Sequence, residues 1–312
     1  MPGELSAFGL SLGAGFPLPG GMDGGEPGLP RLALELESAA DLEARWSGSA
    51  TPGGWRGRLG DGEEFAVERG PAGDLVFRYG ELATFHSDAG VGRLGCAPTG
   101  AAPLAWQRVL LTRVLPNVAI ARGYEALHAA AVLTGRGAVA IAAASGGGKS
   151  TLACELVRRG WPLFADDTVV LGRGEAGVEA HPSVPFVNLP VAAAATELGT
   201  ELGRLGEERW VAVDRHASAR APLAALVLLE REPGLGLELQ PLAATPLTLA
   251  PFMLGLPDDE GRDADRFSLY SDLVEGAPLL RLTADPERSP AALARTLEEA
   301  LDLAPAAVGG YA

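Results

Sequence analysis

The stretch that decides the fold reads Ala138-Val139-Ala140-Ile141-Ala142-Ala143, then Ala144-Ser145-Gly146-Gly147-Gly148-Lys149-Ser150-Thr151. The apolar run has the character of a strand buried on both faces. Three consecutive glycines then let the backbone curl so that its amides point at one anion. A helix predicted over Ser150–Arg159, stopped by Gly160, adds the positive end of its dipole. Lys149 is the one lysine in 312 residues; the other 24 basic side chains are arginines. Most surface cations need only charge, so arginine replaces them at little cost. A phosphate loop needs a compact ammonium on a slim stem, because a planar guanidinium is too bulky for the slot. The segment therefore reads as a phosphate-binding loop, with Ser145, Gly146, Gly147, Gly148, Lys149, Ser150 and Thr151 as its nucleotide-binding residues. Lys149 reaches the β- and γ-phosphates, and the Ser150 hydroxyl ligates Mg²⁺. Ala143 stands where the usual pattern opens with glycine, which costs some backbone freedom without abolishing the turn.

Upstream, Ala129–Leu133 and the turn Thr134-Gly135-Arg136-Gly137 predict a hairpin whose second strand feeds the loop. His128 opens its first strand, a position where a lone histidine is more often structural; the pairing of the two strands makes it a candidate active-site residue. Downstream, residues 161–171 read as one strand carrying Asp166 and Asp167 near its middle. Seventeen and eighteen positions after Lys149 leave room for one helix and a return strand beside the loop. Adjacent aspartates on a regular strand point to opposite faces, so one would face the phosphates. At a strand break, one can hold Mg²⁺ while the other acts as a base, which is most of what phosphoryl transfer requires.

The whole chain constrains the partners. Its 25 basic and 40 acidic residues give a formal net charge of −15, a field that repels nucleic acid and anionic membranes. The longest apolar stretches, at 221–229 and 247–256, are too short or too broken to span a bilayer. The sequence Met1-Pro2-Gly3-Glu4 opens no secretory signal pattern, so a cytoplasmic protein is expected, with a homo-oligomer as an option. Cys96 and Cys154 form no disulfide framework or zinc spacing, and Cys154 reads as a small buried residue on the helix after the loop.

Alternation at Leu32–Leu36, Glu64–Glu68 and Asp74–Tyr79 predicts short strands, hence a β-rich N-terminal domain over 1–102, in which His86 reads as a surface strand residue. Residues 13–30, rich in Gly and Pro, read as a loose loop. A helix over Pro103–Ala121, broken or kinked at Pro116, opens a second domain over 103–312. A strand at Ala224–Leu229 and a helix at about Pro290–Leu303 follow. Arg209 and Arg220 are candidates for a second phosphate contact, with a solvated role the better reading of each. His181 reads as a turn residue beside Pro182.

Leu127-His128, the hairpin, Ser145–Ser150, Arg159-Gly160 and Ala165-Asp166-Asp167 together resemble the catalytic domain of HPr kinase/phosphorylase. The closer similarity is to a looser group of HPr-kinase-like proteins. Those relatives tend to carry a His-Pro-x-x-Pro-like segment, comparable with His181-Pro182-Ser183-Val184-Pro185 here. The resemblance covers Leu127–Pro185. It implies an α/β fold, a P-loop kinase domain of the HPr kinase/PEP carboxykinase type preceded by a β-rich N-terminal domain, using ATP and Mg²⁺. Carried over by position, Lys149 binds phosphates, Ser150 holds the metal and His128 lies near the phosphates; Asp167 is expected as a further metal ligand. The resemblance makes one of Asp166 and Asp167 the acceptor of the serine proton and leaves open which. Thr151 replaces the usual glutamate, and the later Glu-x-Arg-Gly-type segment has no match. These departures point away from bacterial HPr as substrate and from a reverse phosphorylase activity. Some relatives of the looser group are linked to peptide modification, including phosphorylation of lasso-peptide precursors.

The expectation is an ATP-dependent kinase acting on a serine hydroxyl of a protein or peptide. The same parts would serve a small-molecule kinase, or an ATP-binding sensor without transfer.

Overall fold

The computed structural model describes residues 5–19, 26–46, 54–58, 64–175, 177–191, 197–257 and 259–301. It is a mixed α/β fold in two compact units, Met1–Tyr124 with Gly255–Asp263, and Glu125–Leu254 with Ala264–Ala312.

The first unit holds one sheet of β1 (Leu5–Ala7), β2 (Leu10–Ala14), β3 (Arg31–Leu36), β4 (Trp55–Arg58), β5 (Glu64–Arg69), β6 (Leu75–Tyr79), β7 (Ala83–Ser87) and β8 (Arg93–Pro98). Their spatial order is β1-β2-β3-β8-β7-β6-β5-β4. The pairs β2/β3 and β3/β8 are parallel and the rest antiparallel. Period-2 patterning places Leu32 and Leu34 in the core while Arg31 stays exposed. The expected loop over 13–30 begins later than the Gly and Pro content suggests, since Gly13 and Ala14 close β2; residues 20–25 lie outside the described residues.

His86, expected at the surface, is buried. Its Nε2 lies 3.0 Å from Asp74 Oδ2, and the Trp46 ring meets it edge-on at 6.2 Å. An aspartate just before the neighbouring strand β6 gives the imidazole a polar partner, which is what makes burial tolerable.

α1 (Ala39–Arg45) is capped by Ser38, whose Oγ accepts from the Asp41 amide. The expected helix over 103–121 forms, but Pro116 does not break it. α2 (Pro103–Val109) and α3 (Leu115–Ala121) flank a π-helical turn at Leu110–Val114. Proline supplies no N–H to the preceding turn, and the wider π turn takes up the mismatch there. The expected domain boundary at 102/103 also shifts, because this helix belongs to the first unit. Trp106 packs at 5.2 Å from Phe16 and 6.5 Å from Phe85, and Gln107 donates to the Pro17 carbonyl at 2.8 Å.

The second unit is built on β9 (Glu125–Leu127), β10 (Ala129–Thr134), β11 (Gly137–Ala143), β12 (Leu163–Ala165), β13 (Val169–Gly174), β14 (Gly177–His181), β15 (Phe186–Pro190), β16 (Gly199–Leu205), β17 (Glu208–Val213), β18 (Ala221–Arg231), β19 (Glu238–Pro241), β20 (Met253–Leu254) and β21 (Leu279–Ala284). Its helices are α4 (Lys149–Arg158), α5 (Asp263–Gly276) and α6 (Pro290–Leu301). β18 is the hub: it runs parallel to β11 and to β21, and its first residues pair antiparallel with β14. β10 and β11 form the expected hairpin, Ala129 opposite Ala142 through Thr134 opposite Gly137.

The alternating residues of β10 and β11 serve two cores. Val132, Val139 and Ile141 pack with Leu152 and Leu156 of α4 and Leu293 and Leu297 of α6, together with Val187 and Val211 of the small sheet β15-β17-β16. Ala131, Ala140 and Ala142 face Leu269, Tyr270 and Leu273 of α5. Burial of both faces explains why this hairpin reads as continuous apolar sequence.

Candidate active site

The loop leaves β11 where its neighbour β18 is still extended, with Ala143 opposite Leu229. This is the carboxyl end of a parallel strand pair, where open α/β sheets bind ligands. Gly146 and Gly148 take φ of +75° and +93°, the left-handed region that a side chain strains. A Cβ on Gly147 would lie 2.9 Å from the Ala143 methyl. Ala143 is therefore accommodated because its neighbour across the turn has no side chain. Gly148 caps α4 without a side-chain hydrogen bond, so the first-turn amides of α4 retain no side-chain cap at Gly148 and are available to an anion. Ser145 and Thr151 are exposed and Ser150 is half-buried, while Lys149 is buried along its stem.

His128 sits at the junction of β9 and β10, held by its amide donating to the Phe252 carbonyl at 2.7 Å. Its Nε2 lies 2.9 Å from Lys149 Nζ. An ammonium only donates, so Nε2 accepts and the imidazole proton is assigned to Nδ1. Nδ1 in turn lies 3.0 Å from the Asp167 carbonyl oxygen and 3.3 Å from Asp167 Oδ1. Asp167 Oδ1 is also 3.9 Å from Lys149 Nζ. Three of the residues singled out from sequence, His128, Lys149 and Asp167, thus converge beside the loop.

The strand expected over 161–171 is not continuous. β12 ends at Ala165 and β13 starts at Val169, with a bend between them. Asp167 has φ +67°, a conformation that aspartate tolerates better than most residues, and the Thr168 amide closes the bend on the Asp166 carbonyl at 2.8 Å. The two carboxylates consequently meet different surroundings. Asp166 receives the Asn188 amide on Oδ2 at 3.2 Å, and its own amide donates to Ser183 Oγ at 3.3 Å. Its Oδ1 is buried with no hydrogen-bond partner among the described residues. Burial pushes the Asp166 carboxyl up to about 6, and the charge of Asp167 adds to this, while Ser150, the Asn188 amide and Lys149 favour the ionised form.

Sequence reasoning missed Ser183 and Asn188, which reach Asp166 from 17 and 22 residues away. The His-Pro-x-x-Pro-like segment that contains Ser183 was the available signal. His181 is not a turn residue; it ends β14, buried, with its pKa lowered to about 4 by burial and then by Arg220. Arg209 is not solvated either. Its guanidinium donates to the Val191 carbonyl and lies 3.4 Å from Glu201. Arg220 is half-exposed, 3.6 Å from Glu179. Cys154 is buried on α4, as expected, and burial raises its thiol well above its ordinary range.

No protein-family model matches the chain, and no curated protein matches it. Among solved structures, the chain is similar to an Hpr(Ser) kinase/phosphatase from Coxiella burnetii. That similarity has 15% identity and a TM-score of 0.33, covering 56% of this chain and 95% of the other. No helix among the described residues is long and apolar enough to cross a membrane.

Proposed function

We propose that this protein is an ATP-dependent phosphotransferase that moves the γ-phosphoryl group of ATP to a hydroxyl, with a serine of a protein or peptide as the acceptor. The observation that carries the reading is the chain Lys149–His128–Asp167, which joins the loop's cation to a carboxylate through one imidazole. A phosphate loop alone binds nucleotide. A carboxylate held beside it, oriented by a histidine, is what transfer adds.

The residues present fit Mg²⁺. Asp166 Oδ1 is a buried oxygen without a partner, and Ser150 influences the same carboxyl. Among the described residues no group of three His, Cys, Asp or Glu side chains surrounds a common point. Asp166 and Ser150 would supply two oxygens, with phosphate and water completing the set. Bound there, the ion would neutralise charge on the phosphate oxygens. We accordingly assign the metal-ligand role to Asp166 and Ser150, and the base to Asp167, in place of the Asp167 ligand expected from sequence.

In this reading the loop amides and Lys149 hold the β- and γ-phosphates in line with the acceptor. Asp167 takes the proton of the acceptor hydroxyl as the new oxygen–phosphorus bond forms and the bond to the β–γ bridging oxygen breaks. His128 orients Asp167 by donating from Nδ1, and its Nε2 fixes where the Lys149 ammonium rests.

The test is incubation with γ-labelled ATP and either peptide or metabolite pools, beside a binding measurement. Label in the peptide pool is expected, and label confined to metabolites would move the acceptor class to small molecules. Tight ATP binding with no labelled product from either pool would reduce the protein to a nucleotide sensor. Lys149→Arg keeps the charge, and a loss of about tenfold or more in ATP affinity or transfer is expected, close to one good phosphate contact.

A further inference from the structure

Arg231 ends β18 two residues beyond Leu229, which lies opposite Ala143. Its position along the sheet is therefore that of the loop itself. A Cβ built on Gly148 would lie 3.3 Å from Arg231 Nη1 and 3.7 Å from its Cδ, so the guanidinium lies against the backbone of the residue before Lys149.

Its hydrogen bonds are lopsided. Nη2 alone donates to the carbonyls of Pro286 at 2.5 Å, Arg288 at 2.8 Å and Asp285 at 3.4 Å. Nε is buried without an acceptor. Among the described residues Nη1 has no hydrogen bond and no carboxylate forms an ion pair with the group. Asp285 and Glu287 are the acids of the segment that carries those carbonyls; Asp285 places its carboxylate on the amides of Glu287 and Gly234, and neither acid forms an ion pair with Arg231 among the described residues. The charge of Asp285 acts on the group only beyond ion-pair distance, so the buried Nε and the unused Nη1 are not matched to an anion in contact. This is the more telling in a chain with 40 acidic and 25 basic residues. Three backbone carbonyls fix the plane of the fork, which leaves its unused N–H groups pre-oriented.

We propose that Arg231 is a second phosphate-binding cation of this site, donating from Nη1 to a polyphosphate oxygen of the nucleotide held by the loop. This rests on the reading of the loop as a nucleotide site. It replaces Arg209 and Arg220, the two arginines that the sequence offers for that role and that partners elsewhere engage. The planar fork suits a phosphate edge approached from the side, while Lys149 takes the narrow axial slot.

Calorimetry with ADP, tripolyphosphate and adenosine, on the full chain and on Arg231→Gln, Arg231→Lys and Lys149→Ala, tests this. Arg231→Gln should weaken ADP and tripolyphosphate by about tenfold, one lost charged contact, and Arg231→Lys should recover part of that. Adenosine binding should stay as in the wild type, while the lost bonds to the Asp285, Pro286 and Arg288 carbonyls lower the unliganded melting temperature without a matching loss of adenosine. If Lys149→Ala loses ADP while Arg231→Gln binds it normally, the nucleotide reading stands and the role of Arg231 is overturned. A lowered unliganded melting temperature with equal losses for all three ligands would also overturn it, making Arg231 a clamp on the 285–288 loop. If the wild type binds neither ADP nor tripolyphosphate, both readings fall together.

Discussion

Each unit contains an aspartate–histidine pair at about the same separation. In the first, Asp74 Oδ2 and His86 Nε2 are 3.0 Å apart, with the side chains 7% and 5% exposed. In the second, Asp167 Oδ1 and His128 Nδ1 are 3.3 Å apart, with 21% and 27% exposure. The difference lies in what surrounds them. Asp74–His86 lies in a sheet interior with an indole at its edge. Asp167–His128 lies at a strand break, carries an ammonium on the far imidazole nitrogen, and borders a glycine loop. On the proposed reading, identical side chains serve packing in one place and reaction in the other. Access and the third partner distinguish them, not the pair itself.

The largest test of this contrast is catalytic. Asp167→Asn should lower phosphotransfer by about 10²–10⁴-fold, the range for losing a positioned base, whereas Asp74→Asn should leave the rate within about twofold once folded. Steady-state rates on an identified acceptor measure both; equal losses would erase the distinction. Asparagine is the appropriate replacement at Asp167 because it also accepts a left-handed backbone.

Stability should rank the pairs in the opposite order. Asp74→Asn disturbs a buried polar pair and should cost about 1–3 kcal/mol, while Asp167→Asn should change unfolding free energy by less than about 0.5 kcal/mol. Denaturant midpoints with unchanged slopes would report this directly. A large loss at Asp167 would mean that the second pair is structural as well.

His181 sharpens the comparison as a buried histidine whose charged form is disfavoured first by burial and then by the charge of Arg220. Its pKa falls to about 4 in the folded chain from the ordinary 6.5. Between those values the unfolded chain binds more protons, so stability present above pH 6.5 is lost as pH falls towards 4. From pH 7.5 to 5.5 the loss from this group is about 1 kcal/mol. Against wild type, a His181→Gln variant should lose that much less stability over the same interval in urea titrations; parallel pH profiles would contradict it.

Much of the fold was legible where chemistry and local pattern agree. The hairpin, the glycine loop and α4 follow from an apolar run, three glycines and a unique lysine, all within about thirty residues. Other features needed tertiary information. His86 looks exposed because β-strand alternation does not reveal whether a second layer covers the sheet. The bend at Asp166-Asp167 carries no glycine or proline, since aspartate itself adopts the positive φ, so the segment passes for an unbroken strand. That bend gives each carboxylate its own set of neighbours, which no spacing rule could have told apart. Arg231 is visible only through the parallel register of β11 and β18, two strands some eighty residues apart in sequence.

The contact between Lys149 Nζ and His128 Nε2 joins the loop's cation to the strand junction that carries the histidine. On the proposed reading a nucleotide would compete for this lysine, because a neutral imidazole attracts an ammonium more weakly than a polyphosphate does. On that reading the imidazole keeps its Nδ1 contact to Asp167 while its hold on the lysine loosens. The ammonium that the loop would offer to phosphate is thus tied through one imidazole to the Asp167 carboxylate, so on the proposed reading a change at either end of this chain of contacts is felt at the other.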